Sequence, residues 1–160
     1  MKVAIESQAT ARTLDMLEQQ RIDIGLVAEP RNQRGLNFLP VAKIEDIFVC
    51  TPSYLKNLKL REGQEADVFR TGNIMLLDRN NMTQIVPNQL LEVTTMDLLI
   101  EFARIGLGVG CVIREFVAGD LAAGRLIEIP LSAPIRKRTV GFAYQENRQN
   151  RILKSFVTFL

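Results

Sequence analysis

The stretch LLEVTTMDLLIEFARIGLGVGCVI, residues 90–113, decides the fold of this chain. Its apolar pattern predicts a strand, a helix and a second strand, which together form a βαβ unit. Thr94 and Thr95 stand at the first junction, where a hydroxyl can accept hydrogen bonds from the first helical turn. Thr94 and Asp97 have the spacing of a capping box. Gly106 predicts the end of the helix, and residues 109–113 predict a short buried strand.

The predicted helix has a narrow polar stripe that Asp97, Glu101 and Arg104 share. Its remaining surface is apolar over more than one face, which indicates burial against a sheet. The expected apolar residues are Met96, Leu99, Ile100 and Ala103, with Leu98, Phe102 and Ile105 widening the apolar side.

The start of this helix is the first candidate for function. Free N–H groups and the positive end of the helix dipole lie there, beside two hydroxyls. In open α/β sheets, ligands usually bind beyond the carboxyl ends of the strands. On this segment alone, a capped helix that binds nothing is an equally good interpretation.

Composition narrows the possible functions. The 160 residues carry 20 basic and 18 acidic side chains, which gives a net charge of +2. A charge so close to zero gives no electrostatic reason to expect binding to nucleic acid or to a membrane. The absence of histidine removes imidazole triads and nearly all familiar zinc sites, and no metal-ligand cluster or nucleotide-binding motif is found. Carboxylates and lysines remain, so composition does not exclude an enzyme, but it favours a protein that is not one. We expect no catalytic residues, no metal and no cofactor.

Two further features bear on location. Cys50 and Cys111 are far apart and outside any CxxC motif, as expected of small apolar residues in a reducing compartment. No apolar run is long enough to span a membrane, and residues 1–6 predict a strand directly, without a signal peptide. These features favour the cytoplasm.

The N-terminus predicts a second βαβ unit. A strand in residues 2–6 leads to Thr10, the predicted N-cap of a helix over residues 11–20, and residues 22–28 follow as a strand. The recurrence of a hydroxyl residue where a strand meets a helix strengthens the case for a ligand at both junctions.

A third polar junction follows the predicted buried strand of residues 73–77. Arg79, Asn80 and Asn81 could hydrogen-bond a ligand there, although a polar turn facing water is the alternative. Residues 59–72 predict a surface connection, and residues 114–123 predict a helix with Phe116 and Val117 on its buried side. Strands alternate with helices almost throughout, which indicates an α/β protein with largely parallel sheets.

Taken together, these segments resemble the effector-binding domain of LysR-type bacterial transcriptional regulators. The pair of segments 92–95 and 105–109 is the most specific match, although Ile113 stands where many relatives carry proline. The other matching features, in chain order, are the strand leading to Thr10, Leu17, residues 22–25, residues 36–40, Phe48 and Val49 before Pro52, residues 124–126 and residues 156–160.

This resemblance implies a fold similar to type 2 periplasmic binding proteins, with two α/β lobes joined by two crossover strands around a cleft. Residues 1–45 and 136–160 would form lobe I, and residues 46–135 lobe II. In the family, lobe I opens with one further strand and helix before the segment that begins here, so we expect exposed apolar surface and unpaired strand edges in that lobe.

The resemblance also implies a site. Small metabolites bind in the cleft of such domains and alter how the full-length regulator, a homo-oligomer and here expected to be a dimer, sits on DNA. DNA would be bound only through a helix-turn-helix domain outside this chain, and no membrane partner is expected. The implied effector-binding residues are Ser7, Gln8, Ala9, Thr10, Arg79, Asn80, Asn81, Met82, Thr94 and Thr95.

We therefore predict a ligand-sensing regulatory module whose effector carries a carboxylate or another anionic group, such as an organic acid or an amino acid. A solute-binding protein of a transporter, which shares the architecture, is the alternative and would need an export signal. An enzyme on the same scaffold is a second alternative and would need a convergent nucleophile or acid–base pair.

Overall fold

The computed structural model describes residues 4–5, 10–30, 35–63, 67–77, 85–132, 135–145, 155 and 158. The chain divides into two compact units, Met1–Lys43 with Arg138–Leu160, and Ile44–Lys137. In chain order the elements are α1 (Thr10–Glu18), β1 (Ile24–Ala28), β2 (Leu36–Ile44), β3 (Asp46–Cys50), α2 (Pro52–Glu62), α3 (Val68–Thr71), β4 (Asn73–Leu76), β5 (Gln89–Glu92), α4 (Met96–Arg104), β6 (Val109–Ile113), a 3-10 turn (Arg114–Val117), α5 (Ala118–Ala122), β7 (Ile127–Ile129) and β8 (Arg138–Gln145).

The first unit is built on a three-stranded sheet of order β1-β8-β2, with β1 and β8 antiparallel. Helix α1 packs on this sheet through Leu17, which lies in a buried cluster with Val27 and Ala143. Leu26 points away from that cluster and is 60% exposed on β1, an outer strand among those described. The exposed apolar surface and unpaired strand edges expected in this lobe stay a prediction.

The second unit is built on a five-stranded sheet of order β5-β4-β6-β3-β7. Strands β5 and β6 both run parallel to β4 and lie on either side of it. The connection through α4 therefore passes over β4, which confirms the predicted βαβ unit.

The prediction of largely parallel sheets is wrong for three of the described strand pairs. Strand β3 is antiparallel to both β6 and β7, and β8 is antiparallel to β1. The alternation of strands and helices predicts parallel pairing only for strands joined by a helix crossover, whereas β3 follows β2 after a single residue, Glu45.

The β3 side chains alternate between two buried faces of the second sheet. Ile47 and Val49 face a cluster that includes Leu99 of α4. Phe48 and Cys50 belong to the opposite cluster. Burial raises the pKa of the Cys50 thiol to about 11, as expected of a cysteine that serves as a small apolar residue.

Several local predictions are corrected. The surface connection predicted over residues 59–72 is wrong, because α2 continues to Glu62 and Asp67 caps α3 by accepting from the N–H groups of Phe69 and Arg70. Phe116 is 58% exposed instead of buried. The predicted helix over residues 114–123 starts as a 3-10 turn, whose tighter period places Val117 inward and Phe116 outward.

Helix α4 also buries less surface than predicted. Leu99, Ile100 and Ala103 are buried against the sheet, whereas Leu98 is 41% and Ile105 72% exposed. A helix on one face of a sheet buries only the stripe that faces it, so the wider apolar side stays at the surface. Of the final helix expected near the C-terminus, the structure describes Ser155 and Thr158, both helical.

Candidate functional site

The carboxyl ends of three parallel strands meet at one edge of the second sheet. Because β5 and β6 are both parallel to β4, the residues that follow these strands emerge at the same edge. Thr94 and Thr95 follow β5 by way of Val93, and Arg114 follows β6. This is the edge at which ligands of open α/β sheets are usually bound.

Thr95 is the N-cap of α4. It has extended backbone, and its hydroxyl accepts a hydrogen bond from the Leu98 N–H at 3.4 Å. The capping box predicted for Thr94 and Asp97 is therefore wrong, since the cap lies one residue later. The reason is that the Val93 N–H still donates to the Leu76 carbonyl of β4, at 2.8 Å, so the chain turns only after Val93.

Thr94 does not cap the helix in this arrangement. Its side chain is exposed, and its hydroxyl makes no hydrogen bond to any residue that the structure describes. The first N–H groups of a helix have no partner within the helix, and the cap satisfies only that of Leu98. The Thr94 hydroxyl and the amides of Met96 and Asp97 are thus three hydrogen-bonding groups at one helix start.

Asp97 contributes a charge of its own at the same place. It is exposed in the first turn of α4, where a carboxylate is stabilised by the helix dipole. The electrostatic character of this helix start is therefore the sum of a positive dipole end and one negative side chain.

Thr10 lies in the first unit and has a different environment. It is the first residue of α1 and not the residue before the helix, and its hydroxyl accepts a hydrogen bond from the Ala28 N–H at 3.3 Å. Thr10 thus joins the start of α1 to the end of β1. The predicted site residues Ser7, Gln8 and Ala9 lie outside the described residues.

The polar junction after β4 is not described either. Arg79, Asn80, Asn81 and Met82 fall in the segment between Leu77 and Ile85, outside the described part of the chain. Of the ten predicted site residues, the structure describes Thr10 in one unit and Thr94 and Thr95 in the other.

A buried carboxylate elsewhere in the second unit has a structural environment. Asp120 is 3% exposed and accepts hydrogen bonds from Arg104, at 2.8 and 3.2 Å, and from Arg125, at 2.7 Å. The bonds from Arg104, and then those from Arg125, hold the pKa of Asp120 below its ordinary value. A carboxylate held ionised by two arginines does not suit proton transfer.

The described residues show no centre of metal chemistry. Within them, no group of three or more cysteine, aspartate and glutamate side chains is placed to hold a metal ion. In that same part of the chain, no helix combines the length and the apolar character needed to cross a membrane.

Comparison with known proteins identifies relatives. The family model of the LysR substrate binding domain matches residues 1–160. No curated protein matches the chain in sequence.

Solved structures of regulatory domains are similar in fold. The regulatory domain of CrgA, a LysR-type transcriptional regulator from Neisseria meningitidis, has a TM-score of 0.69 and 17% identity, over 90% of this chain and 76% of that one. The bromide-bound regulatory domain of HypT from Salmonella typhimurium has a TM-score of 0.76 and 12% identity, over 97% and 78% of the two chains.

A full-length structure is also similar. LysG from Corynebacterium glutamicum, with bound effector Arg, has a TM-score of 0.72 and 16% identity, over 96% of this chain and 55% of that one. At such identities the structures show the fold alone, and they confirm the predicted α/β fold of the periplasmic-binding-protein type. The family model over residues 1–160 is that of the LysR substrate binding domain, so a transporter's solute-binding protein is not favoured.

Proposed function

Since this chain belongs to the LysR substrate binding domain family, we propose that it senses a small-molecule effector for a LysR-type transcriptional regulator. The effector would bind one arrangement of the regulator more tightly than another. It would thereby change the arrangement of subunits in the oligomer and the affinity of the regulator for DNA. The cytoplasm, predicted from the sequence, is the location that goes with this role.

The observation that carries the proposal is the start of α4. The Thr94 hydroxyl, which bonds none of the described residues, and the amides of Met96 and Asp97 lie together at the edge where β4, β5 and β6 end. Thr95 holds them in place by capping the helix. In a chain of this family, this is the described feature best suited to a polar ligand.

We propose that the group bound there is anionic, a carboxylate of an organic acid or an amino acid. Helix amides and the dipole both favour a negative charge at this position. The remaining effector contacts that we propose are Ser7, Gln8, Ala9 and Thr10 in the first unit, and Arg79, Asn80, Asn81 and Met82 in the second.

The test is a calorimetric titration with a panel of four chemical classes: dicarboxylates such as succinate, acidic amino acids, basic amino acids and neutral sugars. We expect saturable binding of a carboxylate-bearing member. Binding of neutral sugars alone would contradict the anionic effector, and failure of every class at millimolar concentration would contradict the site.

Replacing Thr94 by valine is expected to lower the affinity for the effector found in that panel roughly tenfold. One hydrogen bond to a polar ligand is lost, while the shape of the side chain is kept. The melting temperature should not change, since the Thr94 hydroxyl bonds no described residue. Thr95→Ser is the matched control: it keeps the capping oxygen and should keep the affinity. Unchanged affinity of Thr94→Val would remove Thr94 from the site.

Replacing Asp97 by asparagine distinguishes the sign of the ligand's charge. An exposed carboxylate in the first turn opposes an anion bound at the same helix start, so the variant should bind a carboxylate effector about threefold to tenfold more tightly at low salt. Titrations at low and high salt measure this gain, which should shrink as salt is added. Weaker binding in the variant would show that a cationic group of the effector lies beside Asp97.

A further inference from the structure

We propose that Arg114 is a positioning residue that ties both connections between the two units to the end of β6. The chain passes from the first unit to the second between Lys43 and Ile44, and returns between Lys137 and Arg138. These crossings are 94 residues apart in sequence, yet a side chain beside each of them belongs to one polar cluster around Arg114.

The first connection is held by two contacts. Glu45 lies between the end of β2 and the start of β3. Its carbonyl accepts from the Arg114 N–H at 2.9 Å, and its carboxylate Oε2 accepts from the Arg114 Nε at 3.1 Å. Backbone and side chain of one residue are thus both attached to Arg114.

The second connection joins the cluster through Lys137, the last residue before β8. Its Nζ lies 3.6 Å from Oε2 of Glu45, the oxygen that also accepts from Arg114. Glu45 therefore lies between two cations: Arg114, which follows β6, and Lys137, which lies at the second connection.

Glu128 of β7 fixes the direction of the guanidinium. Both of its carboxylate oxygens accept from Arg114 Nη2 at 2.8 Å, while Arg114 Nε reaches Glu45. A guanidinium presents these donors in one rigid plane, so orientation by Glu128 also aims Nε at Glu45. An isolated surface ion pair contributes little, but one planar group that joins Glu45 and Glu128 forms a network.

The consequence is mechanical. Residues 44–46 and 137 are held to the second sheet and move with it. Any bending of the chain between the units is therefore confined to residues before 44 and after 137. Under the proposed function, an effector that changes the relation of the units would act through connections whose ends are fixed by Arg114.

The experiment is hydrogen–deuterium exchange of the ligand-free protein, so its outcome does not depend on any effector. In Arg114→Met, amides of residues 44–46 and 137 should exchange roughly tenfold faster than in the parent, because local opening no longer breaks charged hydrogen bonds. Glu45→Gln, which keeps the shape of the side chain, should accelerate the same amides.

Arg125→Met is the matched control. Arg125 also pairs with a carboxylate of the second unit, Asp120, but lies at neither connection. The Arg125→Met variant should leave amide hydrogen exchange at both connections unchanged. Unaltered exchange in both Arg114→Met and Glu45→Gln would overturn the proposal, as would equal acceleration of the same amides in Arg125→Met.

Discussion

Replacing Asp120 by asparagine lowers the free energy of unfolding by about 2–3 kcal/mol at neutral pH, the expected cost of leaving charged hydrogen-bond partners unsatisfied. Asp120 is buried in α5, and one oxygen accepts two hydrogen bonds from Arg104 while the other accepts one from Arg125. An asparagine keeps the shape, but its amide nitrogen cannot accept from either arginine.

The geometry explains why this carboxylate contributes more than an ordinary surface ion pair. The Asp120 side chain is 5% exposed, whereas Arg104 and Arg125 are 40% and 65% exposed. The arginines can regain water in the variant, so the penalty should stay below that of a fully buried pair. The contact joins α4, through Arg104, to the turn that follows α5, through Arg125.

The effect of pH has a definite sign. The folded-state pKa of Asp120 lies below its unfolded value, so the stability it contributes is fully present above the unfolded pKa of about 3.9. That stability is lost as the pH falls through the lowered folded pKa. The difference between parent and variant should therefore be full at pH 7 and shrink below about pH 4.

Urea unfolding of both proteins at pH 7 and near pH 3 measures this difference. Glu101→Gln is the control, because Glu101 also pairs with Arg104 but its side chain is 60% exposed. Its expected cost is below about 0.5 kcal/mol. A variant Asp120→Asn as stable as the parent at pH 7 would show that the buried carboxylate is not a stabilising centre.

What the sequence could predict depends on how local the interaction is. The unit from β5 to β6 follows from hydrophobic periodicity and Gly106, which has a φ of +76°, and its elements lie within a residue or two of their predicted ends. The sequence left the cap open between Thr94 and Thr95, and the capping box predicted for Thr94 and Asp97 is wrong because Thr95 is the N-cap. A pair of threonines offers the same chemistry twice, and only the strand pairing of Val93 decides between them.

Interactions between distant segments could not be predicted from any pattern in the sequence. Arg114 and Glu45 are 69 residues apart, and Arg104 and Asp120 are 16 apart on different helices. Charged residues at such separations cannot be paired from one sequence, because the pairing follows from the sheet order β5-β4-β6-β3-β7. Strand β3 is antiparallel to both of its neighbours, β6 and β7. The family resemblance, in contrast, predicted the fold because it rests on many segments in order.

Replacing Gly108 by alanine is expected to lower the free energy of unfolding by about 3 kcal/mol, through a steric clash with backbone. A Cβ at Gly108 would lie 2.2 Å from the Asn73 carbonyl oxygen, at the start of β4. Asn73 cannot easily move aside, because its side chain donates to the Leu107 carbonyl at 3.0 Å and its N–H donates to the Tyr54 hydroxyl at 2.8 Å. Relief of the clash must therefore separate β6 from β4 at the first residues of their ladder.

Gly119→Ala is the matched control for this prediction. Gly119 lies in α5, is exposed, and a Cβ there would meet nothing within 4 Å. Alanine favours helix over glycine, so this variant should be as stable as the parent or up to about 1 kcal/mol more stable. Thermal unfolding should separate the two variants by roughly 6–12 °C, since a domain of this size loses a few degrees per kcal/mol. Equal melting temperatures would mean that β4 and β6 do not approach as closely as the structure shows, and that Gly108, just before β6, is replaceable.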